Sequence, residues 1–169
     1  MRALNELHAD IDKPIGNIRS EHPDWLCRSG CDGCCHRLAE IPQITAAEWA
    51  LLSEGIAELP QELIQSISRD IAALADQQAR PIVCPLLDNS TGNCRVYLYR
   101  PIACRTYGFY VQRDKGLYCK DIEAQVDSGK LSEVVWGNED AIDQRLKGMG
   151  KTRELTVLFA DWKGIGQKL

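Results

Sequence analysis

Four cysteines crowd into nine consecutive residues, Cys27-Arg28-Ser29-Gly30-Cys31-Asp32-Gly33-Cys34-Cys35, and four more follow at Cys84, Cys94, Cys104 and Cys119. A thiolate is a soft anionic ligand suited to zinc and to iron–sulfur clusters. Gly30 and Gly33 allow tight backbone turns, so that nearby sulfurs can converge. Amide N–H groups in such turns can point at sulfur and offset its charge. Disulfides are the competing reading, but they suit small secreted domains, and nothing in the spacing selects a pairing. Buried free cysteine accounts for one or two positions, not for this density beside Gly, Asp and Arg. All eight are therefore read as metal ligands, with Cys27, Cys31, Cys34, Cys35, Cys84, Cys94 and Cys104 foremost and Cys119 next.

Spacing arbitrates between metals. A structural zinc site usually shows two short C-x2-C pairs, and here only Cys31 and Cys34 make one. Iron–sulfur clusters often take several thiolates from one loop and the last, followed by proline, from a distant segment. Cys84-Pro85 supplies that step. A [4Fe–4S] cluster is the expectation and zinc the alternative. One cluster per chain is expected, although the thiolates suffice for two. Neighbouring residues point in different directions in most backbone conformations, so Cys34 and Cys35 are expected to divide their roles or serve two sites. Arg28, Arg37, Arg95, Arg100 and Arg105 lie close in sequence to a cysteine, and one or two are candidates to compensate sulfur charge. His36 reads as a loop residue, His8 and His22 as surface groups.

The C-x3-C-x2-C run of Cys27, Cys31 and Cys34 is similar to the radical S-adenosylmethionine signature. Gly33 stands where those enzymes commonly carry an aromatic, and no strand–helix alternation for a barrel follows. No Gly-rich phosphate loop or nucleophile–base pair points to a reaction. Three classes stay open: a redox or electron-transfer protein, a zinc-stabilised binding module without chemistry, and a cluster-dependent enzyme of unknown substrate.

The elements that must carry these cysteines are legible in part. The fold expected is α+β, mostly helical: one small domain over residues 1–169 with irregular cysteine-rich metal-binding loops, its core at about 27–119. Leu4, Leu7 and Ile11 mark an amphipathic helix over 1–12. Pro14, Gly16, Pro23, Gly30, Gly33 and Pro42 then predict mostly loop over 13–44. Thr45 with Glu48 is a capping box opening a helix to about Gly55. Pro60 suits the first turn of another, whose stripe of Leu63, Ile64, Ile67, Ile71 and Leu74 runs to about Gln78. Residues 88–93 read as a tight turn. Val96–Tyr99 reads as a short strand or a helical turn, and Leu155–Trp162 as strand or helix. Asn138 caps a predicted helix over 139–147.

A net charge of −4 with pI 5.4 lacks the basic stripe of a nucleic-acid binder. No apolar run approaches the ~20 residues of a membrane helix. The opening MRALNELHADIDKPIG has no apolar signal-like core. Cytoplasmic residence, with reduced thiols, is the expectation. A metal ion or cluster is the expected partner, with room for a redox or protein partner.

The same residues carry a resemblance. Cys27–Cys35, then Cys84-Pro85-Leu86-Leu87, then Gly92-Asn93-Cys94-Arg95-Val96-Tyr97, then Arg100-Pro101-Ile102-Ala103-Cys104-Arg105-Thr106-Tyr107 resemble the CxxCxxCC zinc- or iron-chelating domain family, the YkgJ-like cysteine-cluster proteins. Two features depart from it: the first gap is three residues, and Gly108 stands where the family often has proline. The resemblance implies metal binding. Members are often labelled iron–sulfur oxidoreductases, and a related motif occurs in flagellin lysine methylases.

Overall fold

The structure, a computed structural model, describes residues 2–113 and 115–162. In chain order its helices are α1 (Arg2–Glu21), α2 (Ala46–Ala57), α3 (Gln61–Leu74), α4 (Ile102–Thr106), α5 (Lys120–Asp127), α6 (Glu139–Lys147) and α7 (Leu155–Ala160). The strands are β1 (Gln43–Thr45), β2 (Leu87–Asp88), β3 (Asn93–Cys94), β4 (Tyr110–Gln112), β5 (Lys115–Gly116), β6 (Gly137–Asn138) and β7 (Thr152–Glu154). The fold is α+β and mostly helical, as expected. The chain forms two compact units: residues up to Cys31 with Ile102–Gly150, and Asp32–Pro101 with the segment from Lys151.

In the first unit, α1 buries Leu4, Leu7, Ile11, Ile15 and Ile18. It outruns the predicted helix of 1–12 and passes through Pro14. An interior proline costs ~3 kcal/mol. Ile15 and Ile18 continue the same stripe, and each buried side chain returns roughly 2 kcal/mol, so the helix survives to Glu21. The sheet has order β5-β4-β6, with β4 antiparallel to β5 and parallel to β6. Tyr110 of β4 is buried and its hydroxyl donates to the Ile11 carbonyl of α1 at 3.2 Å. Its ring lies against Gly137 of β6, where an added Cβ would overlap it. In α6 the Asn138 side chain accepts from the Ala141 amide at 3.2 Å, as the predicted cap requires.

In the second unit, the Thr45–Glu48 capping box forms as predicted: the Thr45 side chain accepts from the Glu48 amide, and Glu48 accepts from the Thr45 backbone at 2.8 Å. The α3 stripe buries Ile64, Ile67, Ile71 and Leu74. The helix ends there rather than at Gln78, because Ala75–Gln78 offers no further apolar side chain of size to bury. Leu155, Leu158 and Phe159 sit at helical spacing and resolve the ambiguous tail as α7. These helices share one apolar cluster with Ile44, Leu52, Ile56, Leu86 and Val96. β1 pairs with β7, Ile44 opposite Arg153. Tyr97–Tyr99 is a 3-10 turn rather than a strand. Among the described residues no helix is long and apolar enough to cross a membrane.

Candidate metal centre

Three segments of the second unit carry its four cysteines and link them pairwise. The first is the turn at 33–36, closed by the His36 amide on the Asp32 carbonyl at 3.2 Å. Successive side chains in such a helical turn diverge by about 100° rather than 180°. Cys34 and Cys35 therefore stay in reach of each other and share a side-chain hydrogen bond. The two side chains thus diverge less than they would in an extended segment. The second segment runs antiparallel to the first: Leu38 and Ile82 exchange backbone bonds at 3.0 and 2.8 Å, and the Cys84 amide donates to the Cys35 carbonyl at 2.7 Å. The Cys84 side chain hydrogen-bonds Cys35 in turn.

The third segment is the β2–β3 hairpin. The Leu87 amide donates to the Cys84 carbonyl at 3.1 Å, and Leu87 then pairs with Cys94 across the hairpin. Asp88 stabilises the turn by accepting from the Ser90 amide at 3.0 Å and the Ser90 hydroxyl at 2.7 Å. Gly92 meets the turn's left-handed conformation at φ 70°. Cys94 is thereby brought into electrostatic range of Cys34 and Cys35. Cys84 and Cys94 both pack on the apolar cluster.

As thiols, these groups resist ionisation. The bond from Cys34 to Cys35, then burial, holds the Cys34 thiol far above its ordinary range. For Cys35 the Cys34 bond pulls down, but the bond to Cys84 and burial outweigh it and push the thiol up to about 12. Burial raises Cys94, while the Val96 amide and the Arg100 guanidinium pull it back. Of the five candidate arginines, Arg100 is one whose charge acts on a cysteine, Cys94. Its Nε donates to the Tyr97 carbonyl at 2.9 Å, and its guanidinium lies 3.6 Å from the Tyr97 ring centroid, which fixes its reach. Arg95 is near Asp88 at 3.5 Å, and Arg105 near Asp12 at 3.7 Å. Among the described residues no three His, Cys, Asp or Glu side chains already converge in metal-holding geometry. The contacts are pairwise, as thiols linked by hydrogen bonds require; a bound metal takes them as thiolates and displaces those protons.

The first unit holds Cys27, Cys31, Cys104 and Cys119. The Cys27 thiol donates to the Tyr107 carbonyl at 3.4 Å. Cys31 closes a turn through its amide on the Arg28 carbonyl at 3.0 Å. Cys104 lies on α4, and Cys119 occupies the N-cap of α5. All eight cysteines are among the described residues and none is in a disulfide.

His8 is not a surface group. Its Nε2 is buried without a hydrogen-bond partner among the described residues. Burial, helped by Arg105 and opposed by Asp12, lowers its pKa to about 4. His22 is half-buried, its ring 5.7 Å from that of Trp25. His36 stays in the loop, 3.1 Å from Asp32. The sequence reading missed Glu139, which is 7% exposed and accepts from the Thr106 hydroxyl at 3.1 Å. Burial pushes its pKa up to about 7, against the Thr106 bond and with the help of Asp143 and Asp140. Its position beside the Asn138 cap gave no sign of burial, since first-turn acids are ordinarily solvated.

A cysteine-rich α+β protein with thiol groups gathered from separate segments is the class that fold and site define. A family model matches residues 26–135, well over half of the chain. The chain belongs to the CxxCxxCC family (Putative zinc- or iron-chelating domain). No curated protein matches the chain, and no solved structure does.

Proposed function

We propose that the chain is a cytoplasmic redox protein that binds a [4Fe–4S] cluster through Cys34, Cys35, Cys84 and Cys94. The observation that carries the reading is the run of side-chain contacts from Cys34 through Cys35 to Cys84, with Cys94 in electrostatic range. The donor set is all thiol, which suits iron–sulfur chemistry. The Cys84-Pro85 step at the distant segment agrees with it. Arg100 and the Val96 amide act on Cys94, where they would offset part of its charge as a thiolate. When bound, the cluster would supply one-electron chemistry; the residues hold it, screen its charge and exclude water on the side of the apolar cluster. Reduced thiols at this density favour a reducing compartment.

A single zinc ion is the second reading, and the chain of contacts from Cys34 through Cys35 to Cys84 favours it. Around one tetrahedral ion with Zn–S near 2.3 Å the sulfurs stand ~3.8 Å apart, close to thiol hydrogen-bonding distance. In a cluster each sulfur takes its own iron and the sulfurs spread wider. Iron and acid-labile sulfide in anaerobically purified protein decide: brown protein with matched iron and sulfide supports the cluster, and colourless protein with zinc and no sulfide overturns it.

A further inference from the structure

We propose that the segment 95–100 is a strap over Cys94, latched to α2 by Tyr99, and that release of the latch sets how fast a reagent or a metal reaches that thiol. The strap meets Cys94 at two points. The Val96 amide donates to the sulfur, and the Arg100 guanidinium acts on it from the far end of the turn. Between them the Tyr99 amide donates to the Val96 carbonyl at 2.9 Å and closes the turn. Arg100 is tied back to Tyr97 through its Nε and through its place over the ring. For metal exchange the strap rests on the reading of the metal centre above; as a barrier to reagents it stands without it.

The latch is a notch and a bond. Gly55 of α2 makes the notch: a Cβ built on it would lie 2.9 Å from the Tyr99 Cβ and overlap the Tyr99 Cγ and Cδ2. Those atoms stand at the root of the side chain, so rotating the ring would not relieve the overlap and the whole residue would have to retreat. Glycine is a poor residue inside a helix, and here its missing side chain is what admits the ring. The bond lies one turn further on. The Tyr99 hydroxyl donates to the Glu58 carboxylate, 2.8 Å from each oxygen, at the C-cap of α2.

The strap can lift without disturbing the core. No residue of the turn Tyr97–Tyr99 is buried, and Leu98 in its middle is 76% exposed. Tyr99 packs on the apolar cluster from its margin. Its bond to Glu58 is solvent-exposed, and such a bond exchanges readily for bonds to water. Val96, at the root of the turn, is buried within the cluster and supplies a fixed hinge. Lifting the turn about Val96 withdraws Arg100 from Cys94 and opens the thiol to solvent.

The test is alkylation of the full chain, as purified anaerobically, by iodoacetamide, with initial rates at Cys94 and Cys84 read by mass spectrometry. Cys84, held to Cys35 by its own backbone bond, is the internal reference. Gly55→Ala fills the notch, and because alanine is the better helix former it opens the latch without weakening α2. Tyr99→Ala removes ring and hydroxyl together and carries the test should Gly55→Ala fail to fold. In each variant the Cys94 rate is expected to rise on the order of tenfold relative to Cys84. An unchanged Cys94 rate in either folded variant overturns the strap. So does an equal rise at both cysteines, which would mean that the whole unit had loosened. Iron, sulfide and zinc in the same wild-type preparation report on the metal centre separately: their absence overturns that reading and leaves the ratio of the two rates to decide the strap.

Discussion

The amide of Cys84 donates to the carbonyl of Cys35 at 2.7 Å, and the side chains of the same two residues are hydrogen-bonded as well. Backbone and side chain thus join the tandem cysteines to the Cys-Pro segment. Cys84→Ser keeps the backbone bond and replaces the sulfur with a harder, more basic ligand. Metal content at this centre is expected to fall at least several-fold while the far-ultraviolet circular dichroism of the helices stays near wild type. Elemental analysis beside the spectrum checks it, and normal content would place the metal elsewhere.

Chelation should act locally. Leu86 and Val96 belong to the apolar cluster, whereas Cys84, Cys94 and the hairpin lie at its margin. Removing the metal is expected to raise amide exchange over 84–99 while α2, α3 and α7 stay protected, because binding and local folding are coupled. Hydrogen exchange on the reduced, metal-free chain reads this directly; unchanged protection of the hairpin would mean that the metal does not order it.

The capping box offers a test independent of metal. Thr45 is fully buried and Glu48 nearly so. The Thr45 hydroxyl donates to Glu48 at 2.8 Å and accepts from its amide at 3.3 Å. Thr45→Ala leaves that carboxylate short of a donor and the helix without its cap. A loss of about 1–2 kcal/mol is expected in urea unfolding, with recovery in Thr45→Ser. Equal midpoints for the alanine variant and wild type would show the cap to be redundant.

Two buried groups make stability depend on pH in opposite directions. Glu139 titrates at about 7 folded against 4.5 ordinarily, so between those values the folded state binds more protons. Stability from this group is lost as pH rises from 4.5 to 7. His8 titrates at about 4 folded against 6.5 ordinarily, and its contribution is lost as pH falls through that window. Glu139→Gln removes the first slope. Relative to wild type it is expected to gain stability from pH 5 to pH 8, by roughly 3 kcal/mol at most. Parallel curves for variant and wild type would show that Glu139 titrates normally.

Where the information was local, the sequence carried it. Helix α2 with its capping box, the α3 stripe and the Asn138 cap of α6 follow from contacts within a few residues of chain. The thiol content and the ordered motif from Cys27 to Tyr107 were enough to indicate a metal-chelating protein of this family. Even α1 was visible as a stripe; only its passage through Pro14 depended on tertiary burial of Ile15 and Ile18. The short strands β4, β5 and β6 left no mark, because two or three residues cannot display a period.

Which thiols share a neighbourhood was decided by the tertiary structure alone. Spacing counts residues along the chain, and it joins Cys31 to Cys34. Folding joins Cys35 to Cys84 through a backbone bond, a pairing that the spacing does not suggest. The same holds for His8 and Glu139, whose burial depends on what packs over them from distant parts of the chain. Side-chain direction and non-local pairing are set by packing over the whole unit, and no window of sequence contains them.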